Sequence, residues 1–202
     1  MDALAHEDFI RLPDPCSNII IASPHDSDVQ PMVTILNNPT VYKWLDSAVH
    51  PFTESLALQR IERARKSSHS LMENLRHLDR HFVGGCPVNC IREILSDGTQ
   101  VYIGDITVKR SKFTHILDKS ERDALTAENE AKEAGDPTIV WAIAFYLASS
   151  HHGRGIMSTA VRVLLREWLI PKMNVHVIRT EVFLGNLGST NHLERSILDY
   201  SS

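Results

Sequence analysis

The 202-residue sequence has no long apolar run, no excess of basic charge and few cysteines, and each shortage excludes a class of protein. No segment approaches the roughly 20 apolar residues of a membrane-spanning helix, so we expect no contact with a membrane. The opening sequence, MDALAHEDFIRLPDP, has acids and prolines where a secretory signal needs an apolar stretch. We therefore expect a cytoplasmic protein.

Charge and cysteine content narrow the function further. The formal net charge of −4 provides no basic field for nucleic acid. The sequence has three cysteines, Cys16, Cys86 and Cys90. This odd number is not typical of a disulfide framework. His81, Cys86 and Cys90 lack a fourth ligand at a recognisable spacing, so we expect no metal site. No base is placed by the sequence beside Cys90, which argues against a cysteine nucleophile.

Apolar periodicity predicts one α/β domain over residues 1–202. Strands are predicted at 18–22, 88–95, 100–109, 139–148 and 175–184, and helices after residue 28, after residue 53, over 156–173 and over 189–200. Ser-Asp-Gly-Thr at 96–99 predicts a hairpin turn. The segment 139–148 is the most apolar, which predicts a central strand buried on both faces.

The polar segment 111–137 is long for a connection within a compact domain. It contains a weak helical pattern that ends at Gly135. We interpret it as a charged, exposed insertion.

Residues 147–161, LASSHHGRGIMSTAV, carry the chemical information. A predicted strand runs into Gly153-Arg154-Gly155 directly before an apolar helix. The first N–H groups of a helix lack internal partners, and glycines let the backbone approach a phosphate closely. The Arg154 side chain can add a charge-assisted hydrogen bond. This pattern favours an anion site, and a glycine-softened turn is the alternative.

The same loop resembles the acetyl-CoA signature of the GNAT acetyltransferases, and its branch is similar to the ribosomal-protein N-terminal acetyltransferases. Four other segments resemble that family. They are Ile10-Arg11-Leu12, similar to its opening strand or the lead-in to it, the first strand and helix (19–45), the strand VYIGDITV (101–108), and TEVFLGNLGSTNHLER (180–195). The predicted elements follow the order β-α-α-β-β-β-α-β-α, and the resemblance implies that they form a mixed, mostly antiparallel sheet flanked by helices. The last two strands of the family have no counterpart in the sequence.

The resemblance also implies acetyl-CoA as co-substrate. Its pantetheine arm would pair with the main chain of Tyr146, Leu147 and Ser149, and its thiol end would approach Asn186. The full set of implied cofactor-binding residues is Leu147, Ser149, His152, Gly153, Arg154, Gly155, Ile156, Met157, Asn186 and Ser189.

The implied reaction is direct attack of a primary amine, on a small molecule or a peptide, on the thioester. A protonated amine needs a base before it can attack. The candidate catalytic residues are Asp105, Tyr146 and Glu181, with His151 as a further base candidate. Relatives carry an acid where Ala142 stands and a tyrosine where Leu193 stands. A catalytically inactive CoA-binding or interaction protein is therefore the alternative.

Two further interpretations stay open. Loss of the last strands would expose a sheet edge, which a second copy of the chain can cover in a homodimer. A truncated product and an inactive one are the other options. We interpret the basic run in the second helix as a solvated helix face; it consists of Arg60, Arg63, Arg65 and Lys66. The alternative is that these residues line the path of an acidic acceptor.

Overall fold

The computed structural model describes residues 9–45, 49–77 and 82–180. This part of the chain forms a six-stranded sheet whose strands lie side by side in chain order. All neighbouring pairs are antiparallel except β5 and β6, which run parallel, as predicted for a mixed sheet. The strands are β1 (Phe9–Arg11), β2 (Ile19–Ala22), β3 (Cys90–Ile94), β4 (Gln100–Arg110), β5 (Val140–Leu147) and β6 (Val177–Arg179).

Helices connect these strands on both faces of the sheet. They are α1 (Val29–Leu36), α2 (Pro39–Tyr42), α3 (Glu54–His77), α4 (Lys119–Ala131), α5 (Ile156–Leu164) and α6 (Ile170–Met173). A π-helical turn, Leu165–Leu169, joins α5 to α6, so the predicted helix over 156–173 is continuous but irregular. The irregularity precedes Pro171, which has no N–H to donate to the preceding turn. No helix in the described ranges is long and apolar enough to cross a membrane.

The element order differs from the predicted one in two places. β1, which the predicted order does not include, precedes β2 and pairs with it, and it overlaps the Ile10-Arg11-Leu12 segment that resembles the family's opening strand. α4 lies in the segment interpreted as an insertion. The buried Asn129 side chain of α4 donates to the carbonyls of Ser111 and Val140 and accepts from the Val140 N–H, which joins α4 to the sheet. The predicted helix over 189–200 lies outside the described residues.

The two faces of the sheet have separate cores. Trp141, Ile143 and Leu147 of β5 pack on one face with α5 and α6. Residues directly opposite on neighbouring strands share a face. Tyr146, opposite Asp105, therefore lies on the other face, where it packs with Tyr102 against α1 and α3. We call this second face the α3 face; its residues on β4 and β5 are Tyr102, Asp105, Thr107, Lys109, Ala142, Ala144 and Tyr146.

The prediction that β5 is buried on both faces is wrong for the α3 face. Ala144 is exposed there and Ala142 is half-buried. The physical reason is coverage: α1 and α3 pack over β4 and its neighbours and, within the described residues, leave this part of β5 open. The strand is therefore buried on one face, and on the other its residues Ala142 and Ala144 line an open cleft.

Candidate active site

The sheet opens between β5 and β6. The two strands pair only over Val140, Trp141 and Ala142, opposite Val177, Ile178 and Arg179. β5 continues to Leu147, so the edge of 143–147 on the β6 side has no strand partner within the described residues. Main-chain groups of this edge are available to an extended ligand.

Hydrogen bonds fix which residues of β5 face this opening. The Ala148 N–H donates to the Ile103 carbonyl at 2.7 Å, and the Ser111 N–H donates to the Val140 carbonyl at 2.8 Å. In an antiparallel pair the main-chain groups alternate, so even-numbered residues of β5 bond to β4. The main chains of Phe145 and Leu147 consequently face the opening. This corrects the expectation that the main chain of Tyr146 pairs with a cofactor.

The glycine loop follows at the end of β5. Gly153 and Gly155 both have φ of 73°, in the left-handed region that favours glycine. A Cβ added at either position would meet no atom within 4 Å, so each glycine faces open space. Gly155 is the N-cap of α5, and the next two residues, Ile156 and Met157, begin the helix with N–H groups that lack intrahelical partners.

Glu93 on β3 holds the outer side of this loop. Its carboxylate lies 3.2 Å from His151 Nε2 and 3.5 Å from Arg154 Nη2, and it accepts from Asn18 Nδ2 at 3.0 Å. The hydrogen bond from His151 lowers the pKa of Glu93 below its ordinary value. The Arg154 guanidinium lies beside this carboxylate, and its side chain is 48% exposed, so the predicted contact of Arg154 with a phosphate stays a prediction.

Two more side chains fix the loop from within. His152 Nε2 donates to the Leu147 carbonyl at 2.9 Å, which requires the proton on Nε2. Asn38, the N-cap of α2, donates to Ser149 Oγ at 3.3 Å. His152 and Ser149 therefore connect the loop to β5 and to α2 in the structure.

A polar network lies beneath the cleft on the α3 face. Asp105 sits in the middle of β4, not at a strand end, and its side chain is 2% exposed. Its carboxylate accepts from Thr107 Oγ1 at 2.5 Å, from Asn89 Nδ2 at 3.0 Å and from Arg60 Nη2 at 3.3 Å. The Arg60 guanidinium also lies 5.5 Å from the centre of the Tyr146 ring.

Tyr146 completes this network. Its hydroxyl lies 2.6 Å from that of Tyr102, and both are buried. Burial, with the nearby Asp105 carboxylate, raises the pKa of Tyr146 well above its ordinary range, and burial likewise raises that of Tyr102. Both phenols stay protonated at neutral pH, so Tyr146 is a hydrogen-bond donor and is unsuited to act as a base. Both ring nitrogens of His151 are bonded, to Ser150 Oγ and to Glu93, which disfavours His151 as well.

The loop and the network border one cleft of about 1480 Å³. Asp105, Tyr146, Leu147, His152, Gly153, Gly155, Ile156 and Met157 line it, so the structure brings most predicted site residues together. Glu181, Asn186 and Ser189 lie outside the described residues, as does Leu193, so their roles stay predictions. Within the described ranges no group of three His, Cys, Asp or Glu side chains is arranged to hold a metal ion.

Sequence reasoning did not find the positioning residues. Arg60 belongs to the basic run interpreted as solvated, yet it pairs with Asp105, 45 residues away. Glu93 lies 58 residues from His151. Neither pair has a local sequence pattern. The apolar spacing of α3, which turns Arg60 towards the sheet, was the available indication.

The class of protein follows from the splayed sheet, the glycine loop and the comparison with known families. Residues 18–196 match the acetyltransferase (GNAT) domain. The chain therefore belongs to the GNAT acetyltransferase family, whose reaction is acetyl transfer.

A solved structure shares this fold. It is described as "RimL- Ribosomal L7/L12 alpha-N-protein acetyltransferase in complex with Coenzyme A", and it is similar to this chain with a TM-score of 0.54 and 11% identity. The match covers 93% of this chain and 82% of that one. No curated protein matches the sequence.

Proposed function

We propose that this chain transfers an acetyl group from acetyl-CoA to a primary amine by direct attack in a ternary complex. The observation that carries the proposal is the glycine loop: Gly153 and Gly155, both at positive φ, precede α5 beside the unpaired edge of β5. Membership of the GNAT family and the coenzyme A bound to the structural neighbour support it.

The loop fits a pyrophosphate. The space over both glycines would be narrowed by any side chain, and the N–H groups of Gly155, Ile156 and Met157 supply donors where the helix dipole adds positive potential. The phosphate contacts then come from main-chain amides of 153–157.

The edge of β5 fits the pantetheine arm. Acetyl-CoA supplies the activated acetyl group, and the main-chain groups of Phe145 and Leu147 face the space where an extended amide chain pairs. The Leu147 N–H can donate to the thioester oxygen, which gains negative charge during attack. His152 already donates a hydrogen bond to the Leu147 carbonyl, so we assign His152 the role of holding the loop against β5.

The acceptor amine must lose a proton before it attacks, because its free pKa lies well above neutrality. Among the described residues that line the cleft, only Asp105 and Glu130 carry carboxylates. Asp105 lies beside Tyr146 on the α3 face, next to the open part of β5, so we propose Asp105 as the base. Tyr146, which stays protonated, is the candidate proton donor in the reaction.

One observation favours the second hypothesis, a CoA-binding protein without transferase activity. The Asp105 carboxylate already accepts hydrogen bonds from Arg60, Asn89 and Thr107. A carboxylate engaged in this way can be purely structural. The cofactor loop is the same in both hypotheses, so binding and turnover must be measured separately.

Calorimetry with acetyl-CoA and a thiol-release assay with an amine panel test the proposal. Gly155→Glu should abolish binding. Gly98→Glu is the matched control, because Gly98 also has positive φ (84°) and open space but lies in the β3–β4 hairpin. Micromolar binding lost only in Gly155→Glu, with thiol release for some amine, supports the transferase. Binding without turnover selects the inactive hypothesis, and no binding by folded wild-type protein rejects both.

A further inference from the structure

The cleft continues past Tyr146 along the α3 face. Lys109 on β4 lies opposite Ala142 on β5, and Ala142 lies opposite Arg179 on β6. Directly opposite residues share a face, so the two cations flank a small residue on the same side of the sheet. With strands about 4.8 Å apart, Lys109 and Arg179 originate about 10 Å from each other.

Helix α3 adds further positive charge to this region. Arg63 follows Arg60 by three residues, so both side chains leave α3 on the side that faces the sheet. Lys112, just after β4, also lines the cleft. Arg63, Lys109 and Lys112 form no ion pair with any carboxylate of the described residues. We call Arg63, Lys109, Lys112 and Arg179 the basic floor.

The charge of the cleft is opposite to that of the chain. In the described part of the protein the lining includes six basic side chains and two carboxylates: Arg60, Arg63, Lys109, Arg110, Lys112 and Arg179 against Asp105 and Glu130. Arg60 is paired with Asp105, and Arg110 donates to the carbonyls of Asn129 and Lys132. Arg179 Nη1 lies 2.9 Å from His115 Nε2, and its guanidinium lies 5.8 Å from the centre of the Phe113 ring, so it has neighbours but no carboxylate partner. Among the described lining residues, Glu130 is then the one carboxylate set against the basic floor, in a chain of net charge −4.

Mutual repulsion is evident at Lys109. Its pKa is lowered by partial burial and by the charges of Arg60, Arg63 and Lys112, while Asp105 acts in the opposite direction. An anion placed here relieves that repulsion and gains attraction from several cations at once.

The basic floor is separate from the phosphate loop. Ala142 is five residues from Leu147, which corresponds to about 17 Å of strand. The loop leads into α5, which packs on the opposite face of the sheet. The cofactor phosphates at Gly153–Gly155 consequently do not account for Lys109 and Arg179.

We propose that the acceptor is an anionic amine, a primary amine that carries carboxylate groups held by the basic floor. This deepens the proposed function and rests on it. Polyamines and other polycationic acceptors are disfavoured by the same charges. The shared chemistry, an amine close to carboxylates, occurs in acidic peptides and in free acidic amino acids.

Three peptides of equal length and identical first residue provide the test. After that residue, the acidic peptide has Asp and Glu, the neutral one has Asn and Gln, and the basic one has Lys. Free glutamate is a fourth acceptor. Thiol release gives KM and kcat for each. The acidic peptide should have the lowest KM, rising with salt as exposed charges are screened. A lower KM for free glutamate assigns the amino acid as the source instead. Preference for the Lys peptide, or no preference, overturns the inference.

Variants localise the effect. Arg63→Gln/Lys109→Gln should raise KM for the acidic peptide roughly tenfold, since each exposed charge contact contributes a few-fold, and leave the neutral peptide within about twofold. Lys66→Gln is the control, because Lys66 lies three residues from Arg63 on α3 and pairs with Glu62 outside the cleft. An equal effect of both variants contradicts a local site.

A direct binding measurement separates this inference from the proposed function. Fluorescence anisotropy of the three peptides, labelled at their C-termini, needs no turnover. Tighter binding of the acidic peptide, weakened by Arg63→Gln/Lys109→Gln, supports the basic floor even when no thiol is released. Equal binding of all three rejects it even when acetyl transfer is observed.

Discussion

His151 Nε2 lies 3.2 Å from the Glu93 carboxylate, and this contact joins the glycine loop to the middle of the sheet. Glu93 belongs to β3, which pairs with both β2 and β4, so its position is set by rigid main-chain pairing. The Glu93 side chain holds the loop against this rigid strand, although Glu93 is not among the residues that line the cleft. Glu93 is in this sense a positioning residue.

Glu93→Gln should weaken acetyl-CoA binding by about three- to tenfold, because the loop loses the charged partner of both His151 and Arg154. Calorimetry measures the change. Glu62→Gln, which removes an exposed carboxylate paired with Lys66, is the control and should leave the affinity unchanged. Wild-type affinity in Glu93→Gln would show that the loop does not depend on this contact.

The same carboxylate predicts a dependence of stability on pH. The pKa of Glu93 in the folded chain lies below its ordinary value of 4.5, first through the hydrogen bond from His151. Its contribution to the free energy of unfolding is therefore complete above that ordinary value and is lost as the pH falls through the lowered one. Urea unfolding at a series of pH values should show wild type more stable than Glu93→Gln at about pH 6, with the difference shrinking as the pH falls below 4.5. A difference that persists in acid would contradict the assignment.

Asp105→Asn should lower kcat by about a hundredfold or more and remove the acidic limb of the pH–rate profile, as expected for loss of a base. Asn keeps the shape of the side chain, although the charge that faces Arg60 is lost. Asn89→Ala is the control, since it removes one donor to Asp105 without removing the carboxylate. A fall in stability with an unchanged pH profile would make Asp105 structural.

Tyr146→Phe and Tyr102→Phe separate structure from catalysis. Each removes one partner of the 2.6 Å hydroxyl contact and should cost about 1–2 kcal/mol in unfolding free energy. Only Tyr146→Phe should also lower kcat, because Tyr146 lines the cleft and Tyr102 does not. Equal loss of kcat in both variants would indicate that the pair acts only through folding.

The ion pair between Asp28 and Arg92 is the most deeply buried one in the described part of the chain. The two side chains are 2% and 1% exposed and lie 2.6 Å apart. Arg92→Met should destabilise the protein by about 3–5 kcal/mol, because an unpaired carboxylate stays buried. The double variant Asp28→Asn/Arg92→Met should lose less than the sum of the single losses. Additive losses in urea unfolding would show that the residues are not coupled.

Burial also predicts low thiol reactivity. It raises the pKa of Cys86 to about 12 and that of Cys90 well above its ordinary value. A thiol reagent at about pH 8 should therefore leave the buried Cys90 unmodified in the folded protein and react with it in denaturant. Rapid labelling of Cys90 in the folded protein would contradict its burial.

Local patterns predicted the elements well. The strand at 18–22, the hairpin turn at 96–99 and the helical start after Gly155 each depend on neighbouring residues, and the structure confirms them. The open face of β5 depends on which helices cover it, and the pairing of Arg60 with Asp105 depends on how α3 crosses the sheet. Both are tertiary properties, so periodicity alone predicted a doubly buried strand and a solvated basic face.

The alternation along β5 divides the strand between two tasks. Main-chain groups of Phe145 and Leu147 face the opening, while their side chains pack in the core with α5. A ligand that pairs with these main-chain groups does not depend on the identity of the side chains. The two positions only need to be apolar. The glycine loop differs, because a side chain at Gly153 or Gly155 would enter the open space over the loop. We therefore expect apolar substitutions to be tolerated along this strand edge and side chains to be excluded from the loop.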